Sequence, residues 1–143
     1  MTSLEDRIQQ LEDREQIREL TTRYCHAVAA ADAATIVGLF CEDGIFSSGG
    51  RTTQGKPALD KFYTRLAEQP PIPFIQNHVI DELAGDQARG RCSAEIRMVQ
   101  DGESVTTAGW YDDHFRRVDG EWKFAERNFH VFHMVPLSQG WAG

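Results

Sequence analysis

At 143 residues, with 41% apolar and 26% charged side chains, the chain has ordinary globular composition. It is long enough to bury one core without disulfides or a structural metal, so a single domain over 1–143 is expected. The net charge of -7, from 22 acidic against 15 basic side chains, repels a phosphate backbone and argues against a nucleic-acid partner.

The chain opens on Ser3 and Asp6, a capping pair for a long amphipathic helix in which Leu4, Ile8 and Leu11, then Ile17, Leu20, Tyr24 and Val28, recur at three or four residues, to about Ala31. Asp32 caps a short second helix carrying Ile36, Val37, Leu39 and Phe40, which Glu42, Asp43 and Gly44 end. From Ile45 the period is strand-like. Gly49, Gly50 and Arg51 mark a turn, and Gly55, Lys56 and Pro57 open a third helix with Leu59, Phe62, Tyr63 and Leu66, stopped by Pro70, Pro71 and Pro73. The rest reads as strands over about 74–83, 87–99, 104–117 and 121–133, with Asp101-Gly102 and Asp119-Gly120 as hairpin turns. Helices first and antiparallel strands last make an α+β fold, three helices on one face of a curved sheet enclosing an apolar cone suited to a small molecule.

Cys25, Cys41 and Cys92 stand in apolar stretches without a C-x-x-C pair, as buried thiols in a reducing compartment do. The amino terminus lacks the basic start and apolar run of a secretory signal, and no window approaches the ~18 apolar residues of a membrane span. A cytoplasmic protein without a membrane partner is expected.

Arg127 lies in the strand Lys123 to His133, where alternation places it with Ala125, Phe129 and Val131. A guanidinium on an apolar face needs either an internal carboxylate or a polar ligand group. Asp113 is the internal candidate. A three-residue loop of Val118, Asp119 and Gly120 sets Tyr111 opposite Arg127 with Asp113 on the same face; a two-residue loop swaps the faces. His78 follows Phe74 and Gln76 at strand spacing and precedes Ile80, as either a hydrogen-bonded core residue or a proton-transfer group. Tyr24 continues the stripe of Leu20 and Val28, as a phenol aimed at the pocket or as core packing. His130 and His133 mimic an H-x-x-H pair, but odd spacing on a strand points them to opposite faces, which argues against a metal site.

Ile17-Arg18-Glu19-Leu20 followed by Arg23-Tyr24, Ala30-Ala31-Asp32, Leu39-Phe40, Glu42-Asp43, Gly109-Trp110-Tyr111-Asp112-Asp113 and Asp119-Gly120-Glu121-Trp122-Lys123-Phe124 resembles, in order and spacing, the SnoaL-like branch of the NTF2-like superfamily. The resemblance covers nearly the whole chain and implies the same α+β cone. That superfamily includes dehydratases, a hexachlorocyclohexane dehydrochlorinase, polyketide cyclases, ketosteroid isomerase and noncatalytic subunits of ring-hydroxylating dioxygenases. In its dehydratase and dehydrochlorinase members a histidine paired with an aspartate removes a proton. His78 matches the histidine, Arg127 looks like a pocket arginine and Tyr24 like a pocket tyrosine, whereas Ala29 stands where the aspartate belongs. Asp113 could compensate from the sheet side, and Asp32 only if the first helix ended early.

The resemblance thus implies a cofactor-independent dehydratase or isomerase acting on a small hydrophobic, cyclic molecule. His78 is its general base, Tyr24, Arg127 and Asp113 complete the catalytic set, and Phe40, Phe46, Tyr111, Phe129 and Val131 line the pocket. A noncatalytic ligand-binding or subunit protein of the same fold is the alternative. A homodimer or homotrimer formed through the convex sheet surface is expected, with Trp110 and Phe132 as contact candidates, and the stretch from Pro136 to Gly143 with Trp141 could cover the pocket mouth or be loose.

Overall fold

The computed structural model describes residues 2–142. Helix α1 (Leu4–Ala29) starts on the expected capping box: Ser3 Oγ accepts from the Asp6 amide at 3.1 Å, and the Asp6 carboxylate accepts from the Ser3 amide at 3.3 Å. It ends short of Ala31, which turns left-handed at φ 58°. It is buried from Asp13 onward, through Ile17, Leu20, Thr21, Tyr24, Cys25, Ala27 and Val28. Leu4, Ile8 and Leu11, expected on the buried stripe, are exposed because the first buried side chain is Asp13 and the earlier turns extend beyond the sheet. Asp32 caps α2 (Ala33–Gly38) as expected, accepting from the Thr35 amide at 3.1 Å.

Glu42, Asp43 and Gly44 do not end that helix. They lie inside β1 (Phe40–Ser48), which pairs in parallel with the last strand from Phe40 opposite Phe124 onward. The long-range pairing, with the Phe40 and Phe124 rings 5.2 Å apart, overrides the local helical period. A Cβ at Gly44 would fall 2.9 Å from the Cys41 carbonyl, so the irregularity in this strand requires glycine.

A turn at Gly49 and Gly50 leads to β2 (Arg51–Gln54), then α3 (Lys56–Leu66). Three antiparallel hairpins follow: β3 (Ile72–Ala84), β4 (Gln87–Gln100), β5 (Glu103–Val118) and β6 (Glu121–Pro136). The six strands order as β2-β1-β6-β5-β4-β3, antiparallel except between β1 and β6, and the helices cover the concave face. At the closed end the buried Asp13 accepts from Arg117 Nη1 at 2.6 Å, Trp122 Nε1 at 3.1 Å and Gln9 Nε2 at 3.0 Å, tying α1 to the β5–β6 hairpin. No helix among the described residues is long and apolar enough to cross a membrane.

Bulges decide which side chains face inward. In β3, Gln76 pairs with Ser93 and Val79 with Arg91, so Asn77 and His78 together oppose Cys92, and Asn77 takes φ 55°. Phe74 and Gln76 therefore face out, and His78 does not share their face as plain alternation predicts; the extra residue turns His78 and Ile80 inward. In the last hairpin Val118 pairs with Glu121 around Asp119 and Gly120, a two-residue loop in place of the expected three. That loop alone would turn Arg127 outward, but Ala125 is an extra residue in β6. Asp113 consequently stands directly opposite Arg127, and Tyr111 opposite Phe129 and not Arg127. Ala125 accordingly leaves Arg127's face, where Phe124 takes its place.

A third bulge at Phe132 brings His130 and His133 onto the same convex face, paired with Trp110 and Ala108, and not onto opposite faces. Trp141 stacks on His133 with centroids 5.6 Å apart, so it lies against the convex side and does not cover the interior.

The bulge at Asn77 rests on a left-handed residue, which costs a β-branched side chain ~1–2 kcal/mol. Asn77→Val should lower stability by about that amount in urea unfolding, and Asn77→Gly by less.

Candidate active site

Four elements deliver the interior polar groups to one region: α1 supplies Thr21 and Tyr24, β3 supplies His78 at its bulge, and β5 with β6 supplies Asp113 and Arg127 as a cross-strand pair. Arg127 and Asp113 are both 0% exposed. The Arg127 guanidinium carbon lies 3.5 Å from the Tyr111 ring centre, 4.3 Å from that of Tyr24 and 4.7 Å from that of Phe124. Cation–π attraction of this kind reaches ~2 kcal/mol when desolvated and offsets part of the cost of burying the charge. Phe46 pairs with Arg127 across the parallel ladder, and Phe129 packs on Tyr111 with centroids 4.8 Å apart.

The ion pair leaves donors and acceptors free. Arg127 Nε is 3.2 Å from Asp113 Oδ1, but the angle is not that of a hydrogen bond. Arg127 Nε and Nη1 and both Asp113 oxygens are buried without a hydrogen-bond partner, while Nη2 donates to Cys92 Sγ at 3.8 Å. Each such group forgoes roughly 1–3 kcal/mol of solvation, so an arrangement of this kind marks a functional site more readily than a structural one. Burial pushes the Asp113 carboxyl up to about 7, with Arg127 restraining the rise.

The remaining groups are neutral. Burial raises the Tyr24, Tyr63 and Tyr111 phenols and pushes the Cys92 thiol up to about 12, so all four keep their protons near pH 7. The Tyr24 and Tyr63 hydroxyls are hydrogen-bonded at 2.8 Å. His78 is held at about 4, first by burial and then by the positive charges of Arg127 and Arg18. Its Nδ1 lies 3.3 Å from Thr21 Oγ1, and its Nε2 is buried with no partner. The region therefore combines one fixed cation, a neutral imidazole with an unused nitrogen, and two linked phenols.

Of the other residues read from the sequence, Phe40 is fully buried behind Tyr24, Tyr63 and Phe124, so it backs these groups and does not face open space. Val131, opposite Gly109, is 45% exposed and stands at the rim. Ala29 is exposed at the end of α1, and Asp32 is occupied by its capping bonds. Asp113 pairs with Arg127 and makes no hydrogen bond to His78. Trp110 stacks on His130 at 4.4 Å on the convex face, where Phe132 is 70% exposed.

Thr21, Tyr63 and Cys92 escape the sequence reading. Thr21 was detectable as a polar residue four after Ile17 and three before Tyr24, on the buried stripe. Tyr63 sits on the expected apolar face of α3 but carries no sign of its phenol partner.

Two cavities open away from this cluster. One of about 630 Å3 lies at the open end among Arg51, Phe62, Leu66, Met98 and Val99, and reaches the interior through Phe62, which packs on Phe46, and Met98, which packs on the Tyr111–Phe129 cluster. Another of about 700 Å3 lies between Ile72, Arg97, Val105, Leu137 and Trp141. Neither is lined by His78, Tyr24 or Arg127.

The model of the SnoaL-like domain matches residues 9–128. No curated protein matches the chain. Among solved structures, a protein of unknown function from Mycobacterium tuberculosis is 26% identical with a TM-score of 0.81, over 89% of this chain and 76% of that one. An NTF2-like protein with a cystatin-like fold from Novosphingobium aromaticivorans is 26% identical with a TM-score of 0.74, over 92% of each chain. Hexachlorocyclohexane dehydrochlorinase LinA-type3 from Novosphingobium barchaimii is 19% identical with a TM-score of 0.82, over 92% of this chain and 94% of that one, and shares the fold.

Removing the carboxylate of the buried pair strands a charge. Asp113→Ala should cost ~3–5 kcal/mol in urea unfolding. The double variant with Arg127→Met should cost clearly less than the sum of the two single changes.

Proposed function

The chain belongs to the SnoaL-like family, and we propose that it is a cofactor-independent lyase or isomerase that removes a proton beside a carbonyl of a small, hydrophobic, cyclic substrate. The observation that carries this reading is the combination of an unpartnered, buried imidazole nitrogen on His78 with two unused N–H groups on the buried Arg127 guanidinium. The shared fold of the dehydrochlorinase, an elimination enzyme by name, is consistent with it.

In this mechanism His78 takes a proton from the carbon next to the carbonyl, and the electron pair moves into an enolate. Arg127 Nε and Nη1, with the Tyr24–Tyr63 phenols, stabilise the oxygen that gains charge; such interactions act only as the charge develops and so lower the barrier. Collapse of the enolate expels a β-hydroxyl, which leaves as water on taking the proton from His78; alternatively the proton returns to another carbon and the double bond shifts. A free imidazole held at about 4 is a weak base. The developing enolate opposes the Arg127 charge that helps hold His78 low, so the proton affinity of the ring rises along the reaction.

The substrate enters from the open end, past Phe62 and Met98, and meets Phe46, Tyr111 and Phe129. Asp113 holds Arg127 in place from the neighbouring strand. Self-association as a homodimer or homotrimer uses the convex sheet, supported by exposed Phe132 and Val79 beside the Trp110–His130 stack.

The test is a thermal-shift screen of cyclic ketones, phenols and short polyketide-like compounds, with each hit followed for proton exchange or loss of water. His78→Ala should retain ligand stabilisation and lose ~10²–10⁴-fold in turnover. Equal turnover by both proteins would exclude His78 as the base, and binding to both without turnover would establish a binding module. The base must be uncharged, so kcat/KM should hold as pH falls through 6.5 and decline only near the His78 value of about 4. Circular dichroism at each pH separates that decline from unfolding.

A further inference from the structure

We propose that Thr21 is the positioning residue of His78, fixing the imidazole as the tautomer protonated on Nδ1 and leaving the Nε2 lone pair bare toward the interior. The inference rests on reading His78 as the base, and deepens it.

The supply of donor hydrogens fixes the tautomer. A threonine hydroxyl has a single hydrogen and two lone pairs. Thr21 Oγ1 stands 2.8 Å from the carbonyl of Arg18 one turn back on α1, and 3.3 Å from His78 Nδ1. The carbonyl can only accept, so the shorter contact takes the hydroxyl hydrogen. Oγ1 then has only lone pairs to offer the ring, and the ring must donate: Nδ1 carries the proton. In a neutral imidazole the other nitrogen is then an acceptor, and Nε2 is the buried atom without a partner. Thr21 is 0% exposed on the rigid second half of α1, so its hydroxyl has no competing solvent.

The ring is set from both sides. The bulge at Asn77 turns His78 inward opposite Cys92, and Thr21 meets it from the helix. The carboxylate that the family resemblance expects is absent at Ala29, an exposed position eight residues beyond Thr21 at the end of α1. Thr21 can fix a tautomer as a carboxylate can. It cannot neutralise an imidazolium, which fits a histidine that stays uncharged until substrate arrives.

The experiment is a long-range nitrogen–proton NMR correlation of the full chain labelled with 15N-histidine, at a pH where His78 is neutral, with His78→Gln used to assign the resonance. Wild type should show a protonated Nδ1 and an Nε2 with the shift of a bare, pyridine-like nitrogen. Thr21→Val, close in shape but without the hydroxyl, should lose that pattern in favour of the Nε2-protonated tautomer that free side chains prefer in water, and Thr21→Ser should restore it. A wild-type ring protonated on Nε2, or a Thr21→Val ring unchanged from wild type, overturns the proposal. If Thr21→Val does not fold, the wild-type spectrum and Thr21→Ser still decide it. The tautomer is read without any substrate, so a wild-type pattern as expected with no turnover of any compound would refute the base reading and leave the role of Thr21 standing.

Discussion

A permanent positive charge with no access to water is the constraint on which the rest of this fold depends. Arg127 is wholly buried on the concave face, and a guanidinium cannot shed its proton to escape the cost. The surrounding residues answer that charge. Asp113 stands across the strand pair, the faces of Tyr111, Tyr24 and Phe124 turn toward it, and Cys92 accepts one of its hydrogens. These contacts compensate the charge without using up its hydrogen bonds. A purely structural pair would be expected to close on itself; this one leaves Nε and Nη1 undonated.

The same charge sets the chemistry nearby. It helps hold His78 uncharged, limits how far burial raises Asp113, and faces phenols that burial keeps protonated. One fixed cation, neutral donors and a neutral imidazole held together would favour a molecule that becomes negative during reaction. Stability should follow the two shifted groups in opposite senses. Asp113, raised in the fold, contributes stability that is full below its ordinary value near 4 and is lost as pH rises through about 7. His78, lowered in the fold, contributes stability that is full above 6.5 and is lost as pH falls through about 4.

Much of this was legible in the sequence because it rests on local chemistry. The Ser3 and Asp32 caps, the Asp101-Gly102 and Asp119-Gly120 turns, and the progression from helices to strands follow from side-chain hydrogen bonding and left-handed backbone preferences. What was not legible lies in the bulges. One extra residue at Asn77, Ala125 or Phe132 reverses every face beyond it, and nothing in alternation marks where it falls. The grouping of Tyr111, Asp113 and Arg127 emerged correctly from a three-residue loop that does not exist, since the two-residue loop and the Ala125 bulge together restore the same faces. Thr21 and Tyr63 act through partners more than 35 residues away, which a periodic pattern cannot reveal.

The most direct test of a buried cation with unused donors is the ionisation of a small chromophoric phenol, 4-nitrophenol, bound to the protein and read from its absorption spectrum as pH is varied. Burial alone would raise the phenol's pKa, whereas an available Arg127 guanidinium would lower it. Bound dye appearing as the phenolate below its solution pKa is the result expected here. A bound dye whose pKa is raised, or a dye that does not enter, would contradict the account.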